Sequence, residues 1–127
     1  MTASVLRAGS TRRVETPNAV MTTLASPSQG PTGELSVWRI EMRRGQQGPR
    51  HVFDREQVWH LVSGEADFAV GDETLRLRAG DTVILPARVE RQVTAVEATE
   101  IIACGPGTAI ASVPGEEAPR GTPEWIA

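Results

Sequence analysis

The chain has 127 residues, a net charge of -3 and 39% hydrophobic residues, enough to bury a core without disulfides or a structural metal. All 13 basic residues are arginine, and both lysine and tyrosine are absent. Their absence excludes a Schiff base, a lysine-bearing phosphate loop and a phenolic general acid.

The start, "MTASVLRAGSTRRVE", lacks the apolar run of a signal peptide, and no stretch approaches the roughly 18 apolar residues of a membrane span. The expectation is a cytoplasmic protein with no membrane partner. Arg12-Arg13 and Arg43-Arg44 stand apart in an acidic chain without a basic stripe, so they read as solvated surface and not as a nucleic-acid interface.

Residues 1–34 read as an irregular arm holding one short edge strand, "AVMTTLA". "LSVWRIEM" (Leu35 to Met42) alternates in part, and "QVWHLV" (Gln57 to Val62) is β-branched and aromatic. "ADFAVGDETLRLRAGD" reads as two strands around Gly71-Asp72, followed by "TVILPA" and "RQVTAV". The lone Cys104, ending "EIIAC", reads as a small apolar filler of the core.

Residues 111–127 carry three prolines, which cannot donate to a ladder; this tail is expected to run extended, anchored by Trp125. No window of a dozen residues keeps apolar positions at helical spacing. Short strands at regular intervals predict an all-β sandwich or closed barrel.

The segment from Gly45 to Thr94 resembles a small single-domain cupin. Its first motif, G-x(5)-H-x-H-x(3,4)-E-x(6)-G, aligns with Gly45, His51, Phe53 in place of the second His, Gln57 in place of Glu, and Gly64. The second, G-x(5)-P-x-G-x(2)-H-x(3)-N, aligns with Gly80, Pro86, Arg88 in place of Gly, Arg91 in place of His, and Ala95 in place of Asn. The resemblance implies one domain with an antiparallel β-barrel of the jelly-roll or double-stranded β-helix type over about residues 35–110. It also implies a pocket in the barrel mouth and frequent dimerisation. A homodimer is expected, with the arm and tail as elements that could cross between subunits.

Cupins that hold a transition metal use three histidines and a carboxylate; only His51 survives here as a good ligand, and Arg91 would repel a cation. No metal or other cofactor is therefore expected. Asp54 or Glu56 beside His51 is the one route by which a divalent ion could bind, since His60, three residues beyond Gln57, should face outward.

The substitutions instead suggest a pocket for a small organic anion. Arg91 offers a fixed fork of donors, His51 can move a proton near neutral pH, and Gln57 can orient a polar group. A neighbouring guanidinium should also favour the neutral imidazole that a base requires. Phe53, Trp59, Trp38, Met42 and Phe68 would supply the apolar wall, although Trp38, Trp59, Met42 and Phe68 at alternate strand positions are more often core than pocket. His51 has an equally plain reading as a hydrogen-bonded barrel histidine, and Arg91 as the partner of Glu90 or Glu41. Arg39, Arg76, Arg78 and Glu73 read as outward-facing charges.

Three functions follow. The first is a metal-independent isomerase, cyclase or lyase acting on an enolisable or phenolic anion, as in specialised metabolism, with His51 and Arg91 catalytic. The second is a non-catalytic binding or sensor module. The third is a metal-dependent oxygenase or isomerase with an atypical ligand set.

Overall fold

The computed structural model describes residues 3–127, and among them every regular element is a β-strand. In chain order these are β1 (Arg13–Glu15), β2 (Val20–Ala25), β3 (Leu35–Met42), β4 (Val52–Phe53), β5 (Gln57–Ser63) and β6 (Glu65–Val70). β7 (Glu73–Arg78), β8 (Thr82–Leu85), β9 (Arg91–Ala95), β10 (Thr99–Pro106) and β11 (Ala111–Ser112) follow. No helix among the described residues is long and apolar enough to cross a membrane.

All strand pairings are antiparallel. A six-stranded sheet runs β1-β2-β3-β10-β5-β8, a three-stranded sheet runs β7-β6-β9, and β11 pairs with β4. Isolated bridges Gln47↔Thr94 and His51↔Arg91 lay the segment before β4 along the free side of β9. The sheets share one apolar core, in which Trp38, Leu61, Phe68, Leu85 and Ile101 are fully buried.

Strand alternation selects the inward set. On β3 it buries Ser36, Trp38, Ile40 and Met42; on β5, Gln57, Trp59 and Leu61; on β9, Arg91, Val93 and Ala95. Because the side-chain period is two, a one-residue slip of β9 would expel Arg91 from the barrel, so burial of Val93 and Ala95 fixes the arginine's direction.

The passage from β5 to β6 turns at Gly64, where φ is +89° and an added Cβ would collide with the Ala98 carbonyl. Glycine is therefore required there on both conformational and steric grounds. Arg88, at φ +65°, is the one non-glycine residue in the left-handed region among the described residues. It stands where the family pattern has glycine, and its N–H donates to the Phe53 carbonyl at 2.8 Å.

The arm contributes more strand than its sequence announced. β1 and β2 extend the large sheet, and β2 pairs with β3 along most of its length; the arm's first two residues lie outside those described. Cys104 also departs from expectation. β10 alternates Ile101, Ala103 and Gly105 inward, which turns Cys104 to the half-exposed outer face between Val37 and Val58.

The tail closes the barrel mouth of its own chain. Ala111 pairs with Phe53 and with Gly121, and the chain then enters the mouth so that Ile126 is fully buried. Thr23 Oγ1 donates to the Trp125 carbonyl at 2.8 Å. The Ala127 oxygen accepts from Ser26 Oγ at 2.8 Å, Ser28 Oγ at 2.6 Å and Arg12 Nη2 at 3.0 Å. Burying Ile126 contributes roughly 2 to 3 kcal/mol, more than a hydrogen bond between neutral groups such as that from Thr23 at about 1 kcal/mol. Arm and tail are thus joined to each other within one chain.

A candidate binding cavity and its buried arginine

A cavity of about 170 Å³ opens inside the mouth. Its wall includes Trp38, Met42, His51, Phe53 and Trp59, five of the residues anticipated from sequence. The arm and tail supply Ala19, Met21, Trp125 and Ile126, which the motif-centred reading missed because they lie outside the motifs. The apolar alternation of "AVMTTLA" was the one available signal for Ala19 and Met21. Nothing local marks Ile126.

Gln57, Arg91 and Phe68 are not on this wall. Phe68 is core, packing edge-on against Trp59 with ring centroids 5.9 Å apart. Gln57 and Arg91 lie one layer deeper, only 1% and 3% exposed. The Arg91 guanidinium carbon sits 4.4 Å from the centroid of the Phe53 ring and 5.7 Å from that of Trp59. The aromatic wall residues therefore separate the guanidinium from the cavity while stacking on it.

Arg91 Nη2 donates to Gln57 Oε1, which also accepts from Trp59 Nε1 at 3.1 Å. Arg91 Nε and Nη1 and Gln57 Nε2 are buried with no acceptor among the described residues. Gly105 makes room for the pair, since a Cβ there would come within 2.9 Å of Gln57 Cγ. No carboxylate approaches Arg91 among the described residues. Glu90 pairs instead with Arg50 at 3.7 Å, and Glu41 faces outward opposite Glu100.

An uncompensated buried cation costs several kcal/mol, whereas exposed pairs such as Arg76 with Asp67 and Glu65 are screened by solvent and contribute little. Burial pulls the guanidinium down to about 10, so it remains charged at neutral pH. The three orphan groups are all donors, and what they lack is an acceptor.

His51 pairs with Arg91 through both backbone hydrogen bonds, His51 N to Arg91 O at 3.1 Å and the reverse at 3.0 Å. Its ring meets Phe53 edge-on at 4.9 Å. His51 Nδ1 lies 2.8 Å from the Pro49 carbonyl. A carbonyl can only accept, so Nδ1 carries the proton and Nε2 of the neutral ring keeps its lone pair. Burial is the main force lowering the imidazole to about 4; the Pro49 bond opposes it, and Arg91 adds a smaller lowering. Neutral imidazole is thus favoured as anticipated, but chiefly by desolvation and only secondarily by the guanidinium.

The alternative metal ligands are engaged elsewhere. Asp54 Oδ1 accepts from the Ile110 N–H at 2.7 Å, Glu56 is exposed, and His60 faces outward with Nδ1 2.8 Å from Thr82 Oγ1. No cluster of three His, Cys, Asp or Glu side chains forms among the described residues. A guanidinium and an amide stand where a cationic centre would need anionic or imidazole donors, so the residues present do not fit a transition ion.

Residues 38–103, slightly more than half the chain, match the family described as Cupin domain. The chain belongs to the cupin family. No curated protein matches it. Among solved structures it is similar to an RmlC-like cupin from Shewanella frigidimarina NCIMB 400, with TM-score 0.71 and 21% identity over 83% of this chain and 91% of that one.

It is also similar to oxalate decarboxylase from Bacillus subtilis, with TM-score 0.75 and 14% identity over 84% of this chain and 30% of that one. Salicylate 1,2-dioxygenase from Pseudoaminobacter salicylatoxidans, solved as adducts with gentisate, gives TM-score 0.71 and 15% identity over 83% and 31%. The chain spans about a third of the length of these two enzymes. At such identities the likeness establishes the fold alone.

Proposed function

We propose that this cupin is a metal-independent enzyme of small-molecule metabolism that binds an enolisable or phenolic organic anion in the barrel mouth. It would catalyse a proton-transfer step of the isomerase, cyclase or lyase kind. His51 Nε2 takes or returns the proton. Arg91 supplies the positive field that stabilises the developing oxyanion, and Gln57 holds the guanidinium in place. Trp38, Met42, Phe53 and Trp59 enclose the ring or chain of the ligand.

One observation carries this reading: a fully buried arginine that has no counter-ion among the described residues and holds two orphan N–H donors directly behind the Phe53 wall. In a low-dielectric interior such a charge acts across one aromatic layer far more strongly than it would in water. If Phe53 rotates aside, the orphan donors meet the anion itself. As seen, the pocket has the character of a small-ligand site, apolar with a few placed polar groups.

A second reading, a non-catalytic binding or sensing module, is favoured by the cavity wall. His51 is the one titratable side chain on it among the described residues. Native mass spectrometry of protein purified without added metal separates the possibilities. A co-purified organic anion supports either organic-ligand reading, and its chemical conversion by wild type but not by His51→Ala selects the enzyme. Stoichiometric iron, manganese, nickel or zinc, lost in His51→Ala, overturns both.

We also propose a two-fold dimer, through a surface different from the one the sequence suggested. Arm and tail are spent on their own chain, whereas Val58 and Ile84 are paired neighbours exposed on the outer face beside the free edge of β8. Sedimentation of Ile84→Glu at monomer mass, against a wild-type dimer, supports this placement.

A further inference from the structure

A second cavity, of about 230 Å³, lies outside the first and is walled by Ala111, Val113, Pro123 and the Arg120–Gly121 turn. It shares Pro49, His51 and Trp125 with the inner cavity, so a single layer of side chains separates the two. We propose that this vestibule is an outer subsite of the same ligand, which would be a ring-bearing anion with an apolar substituent. The ring occupies the inner cavity and the substituent passes beside Trp125 to lie on Val113 and Pro123.

Three observations carry the assignment. An apolar cavity of about 150 Å³ accepts benzene, so the inner cavity suits one ring and little more. The vestibule floor is apolar, and the one charged side chain on it among the described residues, Arg120, is already engaged by Glu116 at 2.8 Å. That leaves no free charge to demand a polar occupant.

The partition is also built to yield without the tail unfolding. The Trp125 carbonyl and Ala127 are held by the Thr23, Ser26, Ser28 and Arg12 bonds and by buried Ile126, and the Pro123 carbonyl before them accepts from the Ile126 and Ala127 N–H groups at 2.9 and 3.0 Å, while the indole is only half-buried. A rotation of that one side chain joins the two spaces.

The proposal rests on the organic-anion reading of the inner cavity, and the test keeps the two apart. Calorimetric titration uses benzoate and its 4-ethyl and 4-butyl derivatives, with ethylbenzene and butylbenzene as uncharged counterparts. In wild type, affinity rises by about fourfold per added methylene, the gain from burying each CH₂. Val113→Trp, checked for unchanged thermal unfolding, fills the vestibule; it flattens the series while benzoate itself binds as before.

A flat series in wild type, or an unchanged slope in Val113→Trp, overturns the outer subsite. A slope seen only with the uncharged series keeps the subsite and overturns the anion reading. No binding by either series overturns both.

Discussion

Arg91 and Gln57 form a closed pair inside the barrel, guanidinium Nη2 donating to amide Oε1, and neither side chain carries the negative charge that would neutralise the other. Restoring the family's glutamate at this position supplies it. Gln57→Glu is expected to raise unfolding free energy at pH 7 by about 1 to 3 kcal/mol, the range for a hydrogen bond to a charged group. The same change weakens organic-anion binding at least roughly tenfold, because the guanidinium's field is then spent internally. Urea unfolding and titration of one protein preparation check both; destabilisation with intact binding counts against the arrangement.

His51 makes stability depend on pH in a calculable direction. Its folded value of about 4 lies below the ordinary 6.5, so the folded state holds the imidazole neutral more strongly than the unfolded chain does. Above pH 6.5 both states are neutral and the full stability is present. As pH falls from 6.5 to 4 only the unfolded chain gains the proton, and stability declines by about 2 kcal/mol after allowance for the half-buried ring, levelling below pH 4. Urea unfolding of wild type and His51→Gln across pH 7 to 4 should show the wild-type unfolding free energy, taken relative to the variant, falling by this amount. Parallel curves would remove the assignment.

Arg88 bears a backbone cost that glycine would not. At φ +65° its Cβ is crowded, while its N–H fixes the Phe53 carbonyl. Arg88→Gly keeps that hydrogen bond and is expected to stabilise the protein by about 1 kcal/mol or slightly less, the unfolded chain's added freedom offsetting part of the relief. A loss of thermal stability would show that the arginine side chain makes a contact worth more than the strain.

Sequence made the centre of this protein legible because the centre is where period-two alternation and motif spacing act together. The strands anticipated at Leu35 to Met42, around Gly71-Asp72 and at "RQVTAV" correspond to β3, the β6–β7 hairpin and β9. The inward direction of Gln57 and Arg91 was implied by their places in the family's motifs, and alternation then turned His60 outward. What did not follow was depth. Alternation assigns a side to Arg91 but cannot say that Phe53 and Trp59 lie between it and the cavity.

The mouth was less legible still. Ile126 is buried because Ser26, Ser28 and Arg12, about a hundred residues away, hold Ala127, and a single sequence carries no signal for such long-range closure. Cys104 was misplaced for a local reason. "EIIAC" reads as a continuous apolar run, and only the register with Val37 and Val58 turns its last side chain outward.

The central claim is that a permanent cation behind the Phe53 wall makes this cavity select anions. Calorimetric titration with benzoate and with benzamide, its uncharged near-isostere, in wild type and Arg91→Met measures this directly. Methionine retains much of the volume while removing the charge, so the variant should be as stable as wild type or more so by about 1 to 4 kcal/mol. The account predicts that wild type prefers benzoate by about tenfold or more, and that the preference disappears in Arg91→Met. Equal affinity for the two ligands in wild type, or a preference that survives loss of the guanidinium, would contradict it.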